Sequence, residues 1–205
     1  MTVIAAIATV DRVLMAADSR ISQRTTRIGN TEKIIRKTTP NGGEYLLAVA
    51  GRLSLLSIAR HSLTIEDIPD QRSDEDCDAW AYAVACALAE LAVDAKPPVL
   101  DEHGSVDGEA LLACGSRLWL LDGQSVTRIR DSYAIGSGAP EARGALYVIS
   151  RFHGEYSDPA SALAVAVGAA CDLDLACGDA VQIHVTTINA VTCTDGAGDP
   201  PTGQN

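Results

Sequence analysis

Thr2 directly follows Met1 and is small enough at that position for methionine removal, which would leave a hydroxyl and a free α-amine on one carbon. One residue would then supply both nucleophile and base. An α-amine with a reference pKa of about 7.7–8.0 accepts a proton near neutrality, where a lysine at about 10.4 does not. An apolar run leads from Thr2 to Ala17-Asp18-Ser19-Arg20, and Lys33 follows a little further on. On residue type alone, Met-Thr is also an ordinary chain start, and Asp18 with Lys33 an ordinary ion pair at a strand end.

The surrounding pattern says what would position these residues. Val3 to Val10 and Val13 to Ala17 are apolar runs separated by Asp11-Arg12, which predicts two strands joined by a tight turn, the second delivering Asp18 at its end. Ser19 to Asn30 is polar and reads as a loop, Lys33 to Lys37 as a strand, and Tyr45 to Ala50 as another strand closed by Gly51. Helical spacing at Leu53, Leu56, Ile58 and Ala59 predicts a helix over 53–63, and an alanine-rich helix follows over 76–91 with Trp80, Val84, Leu88 and Leu91 inward. The acidic run from Asp74 to Asp78 fits the start of that second helix better than a metal site. Short strands are expected over 110–114, 118–121, 126–130 and 134–137, with Asp122-Gly123 as a hairpin turn. A helix is expected over 140–152, and a second over 160–173 opened by Asp158-Pro159; Val181 to Ile188 returns to strand. This order is α+β, satisfied by two sheets packed face to face with helices outside.

Composition excludes several classes. A chain of 205 residues can bury a sizeable core as a single domain, expected over 1–193, with a flexible tail over 194–205 rich in Gly, Pro and Asp. Sixteen Lys and Arg against 27 Asp and Glu give a net charge of -11, which opposes nucleic acid and anionic membranes as partners. Cys77, Cys86, Cys114, Cys171, Cys177 and Cys193 form no C-x-x-C pair, and His61, His103, His153 and His184 stand in separate segments, so neither a metal nor a cofactor is expected. With no signal peptide or membrane span in the pattern, the expected location is cytoplasmic.

Thr2, Ala17-Asp18-Ser19-Arg20, Glu32-Lys33-Ile34-Ile35, Ala48-Val49-Ala50-Gly51, Ile135-Gly136-Ser137-Gly138 and Asp174-Leu175-Ala176-Cys177-Gly178 together resemble the β-type subunits of the proteasome and HslV group of N-terminal-nucleophile (Ntn) hydrolases, of bacterial proteasome-like type. The resemblance runs from Thr2 to about Ile188. It implies a four-layer αββα sandwich of two antiparallel sheets flanked by helices, and a threonine endopeptidase in which Thr2 Oγ attacks the scissile carbonyl. Lys33 would lie beside the hydroxyl, Asp18 would hold Lys33, and Gly51 would offer its backbone N–H to the oxyanion. Ser137 and Asp174 would surround the amine. Cys177 stands where the family usually has serine, and a thiol is the weaker hydrogen-bonding group. Arg52 stands where a small residue is usual, and would narrow the cleft or meet an acidic substrate group.

The same resemblance implies an extended peptide paired to the main chain of Ser22 and Gly51, with a side-chain pocket lined by Ile21, Thr31, Ile35, Val49 and Leu53 that favours medium apolar residues. It also implies a homo-oligomeric ring acting on peptide or unfolded protein, with an ATP-dependent unfoldase ring as partner. Two alternatives stay open: a catalytically silent ring or scaffold subunit of the same fold, supported by Cys177 and Arg52, and a non-proteasomal Ntn amidase.

Overall fold

The computed structural model describes residues 2–23, 26–69, 73–153 and 158–186. Met1, Cys193, the end of the last expected strand at Ile188 and the expected tail over 194–205 lie outside the described residues.

The chain opens with strands β1 (Ile4–Ala8) and β2 (Val13–Asp18). Their residues are apolar almost without interruption, as suits strands covered on both faces. Along β1 and the residue before it, Val3, Ala5 and Ile7 face one buried layer, while Ile4 and Ala6 face another. β3 (Arg20–Gln23) and β4 (Thr26–Asn30) follow, then β5 (Ile34–Thr38), β6 (Glu44–Gly51) and helices α1 (Leu53–His61) and α2 (Asp74–Asp94). The second half runs β7 (Gly108–Cys114), β8 (Arg117–Asp122), β9 (Ser125–Ile129), β10 (Ser132–Ile135), α3 (Ala139–His153), α4 (Pro159–Leu173) and β11 (Val181–Val185).

Two antiparallel sheets result, one in the order β10-β1-β2-β11 and one in the order β5-β6-β7-β8-β9. Three apolar clusters fill the gaps between four layers. Ile4, Met15, Leu46, Leu111 and Leu118 lie between the sheets. Val3, Leu163, Val167 and Ala170 join the first sheet to α3 and α4, and Leu47, Leu55, Trp80, Leu112 and Trp119 join the second sheet to α1 and α2. The expected αββα sandwich is the architecture found.

Helix starts follow local rules. Ser73 caps α2 by accepting from the Asp76 N–H, and Asp74, Glu75 and Asp76 place negative charge on its first turn. Asp74 also takes Arg117 and Arg128 from β8 and β9, which ties the helix to the sheet. Asp158 caps α4 ahead of Pro159.

Two expectations are corrected. The polar segment 19–30 is not a loop: β3 and β4 pair as a separate two-stranded ribbon with a bulge between Ile21 and Ser22. It is polar because it stands off the core, with most of β4 exposed. On α1 the inward residues are Leu55, Leu56 and Ala59, whereas Leu53 is half exposed. The strand that ends at Gly51 aims the first turn of the helix into open space beside Thr2.

Candidate active site

Thr2 stands two residues before β1, and the register Ile4↔Ala17 carries Asp18 alongside Val3 at the end of β2. The backbone closes this junction: Asp18 N–H donates to Val3 O at 3.2 Å, and Val3 N–H donates to Asp18 Oδ1 at 3.0 Å. Lys33 comes from the other sheet, immediately before β5, and its Nζ reaches Asp18 Oδ1 at 2.6 Å. Thr2 Oγ1 donates to the same carboxylate oxygen at 2.8 Å. Gly178 N–H donates to Asp18 Oδ2 at 3.1 Å, so both oxygens are engaged.

All three side chains are withdrawn from water: Thr2 is 5% exposed, Asp18 0% and Lys33 4%. Burial pushes the Lys33 pKa below the usual lysine value, while the Asp18 charge and hydrogen bond pull against that shift. The trio places a hydroxyl beside a charge-paired ammonium.

The Thr2 nitrogen donates to Ser137 Oγ at 3.3 Å, and Gly138 N–H donates to Thr2 O at 3.2 Å. Cys177 Sγ donates to Asp174 Oδ2 at 3.3 Å and lies 3.9 Å from Ser137 Oγ. Burial raises the Cys177 thiol to about 12, helped by the Asp174 hydrogen bond, so it stays a neutral donor. Asp174 is held below the usual carboxylate value: burial opposes the shift, but hydrogen bonds from Ser137, the Ala176 N–H and Cys177 outweigh it. Ser137, Cys177 and Asp174 thus form a polar chain leading away from the Thr2 nitrogen.

Gly51 has φ +129°, and a Cβ there would sit 2.5 Å from Gly108 Cα and 2.6 Å from Asp107 O. β6 and β7 approach too closely at that end for any side chain. Gly136, with φ +91°, is tighter, since a Cβ would fall 2.3 Å from Thr2 O.

Open space flanks Thr2 on two sides. A narrow cleft of about 70 Å³ is lined by Ile21, Ser22, Thr31, Val49, Leu53 and Leu56, with Arg20 and Lys33 also on its wall. Ile35 is not on this wall; it is 6% exposed, within the core between the second sheet and α1 and α2. Leu56 and Arg20 take places that sequence spacing did not assign. A larger cavity of about 480 Å³ meets Thr2, Gly51 and Ser137 and carries Asp101, Asp107, Glu109 and Asp122. Arg52 lies on both cavities and pairs with Asp107 at 2.5 Å. Sequence reading also missed Glu109. The signal available was its place at the head of β7, where strand alternation sets it on the same face as Leu111 and Ala113 between the sheets.

Among the described residues no cluster of three or more His, Cys, Asp or Glu is placed to hold a metal ion, and no helix is long and apolar enough to cross a membrane.

No protein-family model matches the sequence, and none of the curated proteins matches it. Solved structures do. BPH of Thiobacillus denitrificans in complex with epoxomicin superposes with a TM-score of 0.71 at 22% identity, covering 90% of this chain and 98% of that one. Eukaryotic HslV from Trypanosoma brucei gives 0.64 at 16%, covering 91% and 99%, and Anbu, the ancestral β-subunit from Yersinia bercovieri, gives 0.61 at 15%, covering 89% and 80%. The fold is therefore that of the proteasome-type Ntn hydrolases.

Proposed function

We propose that the chain is a threonine-type peptidase subunit of a self-compartmentalising, proteasome-like assembly. The observation that carries this reading is the buried line Thr2 Oγ1, Asp18, Lys33, with Ser137 on the Thr2 nitrogen. Removal of Met1 frees the Thr2 amine. The amine takes the Oγ proton, Oγ attacks the substrate carbonyl, and the Lys33 charge favours the developing alkoxide. Gly51 N–H faces the oxyanion of the tetrahedral intermediate. When the intermediate collapses, the Thr2 ammonium returns its proton to the departing amine, and the acyl group stays on Oγ as an ester. Water, deprotonated by the same amine, hydrolyses that ester. Asp18 fixes Lys33, while Ser137, Cys177 and Asp174 orient the amine. Met1 removal and the residue roles are both part of the proposal.

The acyl-side residue enters the narrow cleft, where Ile21, Val49, Leu53 and Leu56 favour a medium apolar side chain. A cytoplasmic homo-oligomeric ring, fed unfolded protein by an ATP-driven ring, completes the proposal. Intact-mass measurement before and after treatment with a peptide epoxyketone tests it, because that reagent needs both the hydroxyl and the free amine of Thr2. A des-Met chain with one adduct is the expected result. Unprocessed and unlabelled protein, or peptide hydrolysis that survives Thr2→Ala, overturns it.

Cys177 favours a second reading, a silent subunit of the same assembly, because a thiol supports the amine network less well than a hydroxyl. A Cys177→Ser variant that gains hydrolysis from an inactive parent would select that reading.

A further inference from the structure

Glu109 is the second residue of β7 in the five-stranded sheet, yet its Oε1 accepts from Gly136 N–H at 3.0 Å, beyond the end of β10 in the other sheet. The ladder between β1 and β10 ends with the pair Ile4↔Ile135, so the Gly136 N–H lies past the last strand partner. Gly136 is pressed against Thr2: the closest atom to an added Cβ is the Thr2 carbonyl oxygen, and the next is the Thr2 methyl group. Ser137 takes the Thr2 nitrogen, and Gly138 N–H takes the Thr2 carbonyl. The loop 136–138 therefore grips the backbone of Thr2, and the Glu109 carboxylate ties that loop to the opposite sheet.

We propose that Glu109 is a positioning residue for Thr2, acting through Gly136 and Ser137. Its kinetic consequence rests on the peptidase reading above; its structural consequence does not. A charged acceptor gives the stronger bond to a backbone N–H, and a glutamine oxygen in the same place would keep a weaker one. Alanine would leave the Gly136 N–H to water, and the loop would drift relative to the two cavities.

Two variants, Glu109→Ala and Glu109→Gln, test this in the full-length, processed chain by two readouts. For hydrolysis of an uncharged fluorogenic peptide, Glu109→Ala should lower kcat by on the order of 10- to 100-fold with KM little changed, as a displaced reacting group does. Glu109→Gln should stay within about fivefold of the parent, the difference between a charged and a neutral acceptor. In hydrogen–deuterium exchange, the segment 132–138 should lose protection in Glu109→Ala and keep most of it in Glu109→Gln. The proposal is overturned if the alanine variant exchanges like the parent in this segment, or if its kcat is unchanged in an active parent. Exchange decides even where the parent hydrolyses nothing, so failure of the peptidase reading is seen separately.

Discussion

Asp18 and Lys33 form an ion pair with both partners out of water, and the structure makes the two ends unequal. Asp18 has other donors, namely the Thr2 hydroxyl and the Val3 and Gly178 N–H groups, whereas the ammonium of Lys33 has Asp18 alone among the described residues. Breaking a buried pair by removing one partner costs about 3–5 kcal/mol. Lys33→Met should fall at the lower end, because the carboxylate keeps its three remaining donors. Asp18→Asn should fall at the upper end. Its loss is limited because the stranded lysine can deprotonate, which from a free pKa near 10.4 costs at most about 4.6 kcal/mol at pH 7. Burial alone already holds Lys33 low. In Asp18→Asn the unfolded chain therefore binds more protons than the native one, and stability rises with pH toward the free lysine value. The double variant leaves no uncompensated charge, so it should be more stable than the sum of the single losses predicts by about 2 kcal/mol or more. Urea denaturation followed by the fluorescence of the buried Trp80 and Trp119, at fixed protein concentration, measures all four chains. Single losses below about 1 kcal/mol that add within about 0.5 kcal/mol would refute the reasoning, since an exposed pair behaves that way.

Three further outcomes are expected. Gly136→Ala should destabilise the fold by about 1–3 kcal/mol and abolish epoxyketone labelling, because the new methyl collides with the Thr2 carbonyl at a positive φ; mass spectrometry and urea melts check both. Stability should decline steeply in alkali. Burial raises Cys177 and Tyr45 to about 12 and Cys171 to about 11, so their neutral forms stabilise the fold below their free values of 9.0 and 10.0 and that contribution is lost as pH rises through the folded values. Lys33 acts in the opposite sense only below 10.5, so urea midpoints should fall above that pH. The larger cavity bears Glu109 and Asp122 without a cation partner among the described residues, so peptides with Lys or Arg just after the cleaved bond should be cut faster than those with Glu. That contrast should shrink between about 0.05 M and about 0.5 M salt, and a contrast indifferent to salt counts against it.

The order of strands and helices was legible because β1, β2, β6 and β7 are buried on both faces and read as unbroken apolar runs, and because the acidic run from Asp74 and the pair Asp158-Pro159 mark helix starts with local chemistry. The β3–β4 ribbon was not legible, since a strand pair that buries little carries no apolar alternation and its backbone bonds leave no trace in side-chain type. The same limit applies to side chains near Thr2. Leu53 and Ile35 are both apolar, yet one lines the cleft and the other is core; the direction in which β6 feeds α1 decides between them. Thr2, Asp18, Lys33 and Ser137 stood out by residue type and spacing, and the structure sets Thr2 and Lys33 on the Asp18 carboxylate and Ser137 on the Thr2 nitrogen. Glu109 was hidden because its partner, the Gly136 N–H, is a backbone group of a distant strand end.

Thr2 and Asp18 belong to one sheet, whereas Lys33 and Glu109 come from the margins of the other. A folding intermediate that has formed only the first sheet, whose β10 and β11 follow every strand of the second sheet in the chain, holds the threonine and its carboxylate without the lysine ammonium. On the peptidase reading proposed above, reactivity is deferred until the two halves of the sandwich close. Epoxyketone labelling during refolding would then report the docking of the two sheets.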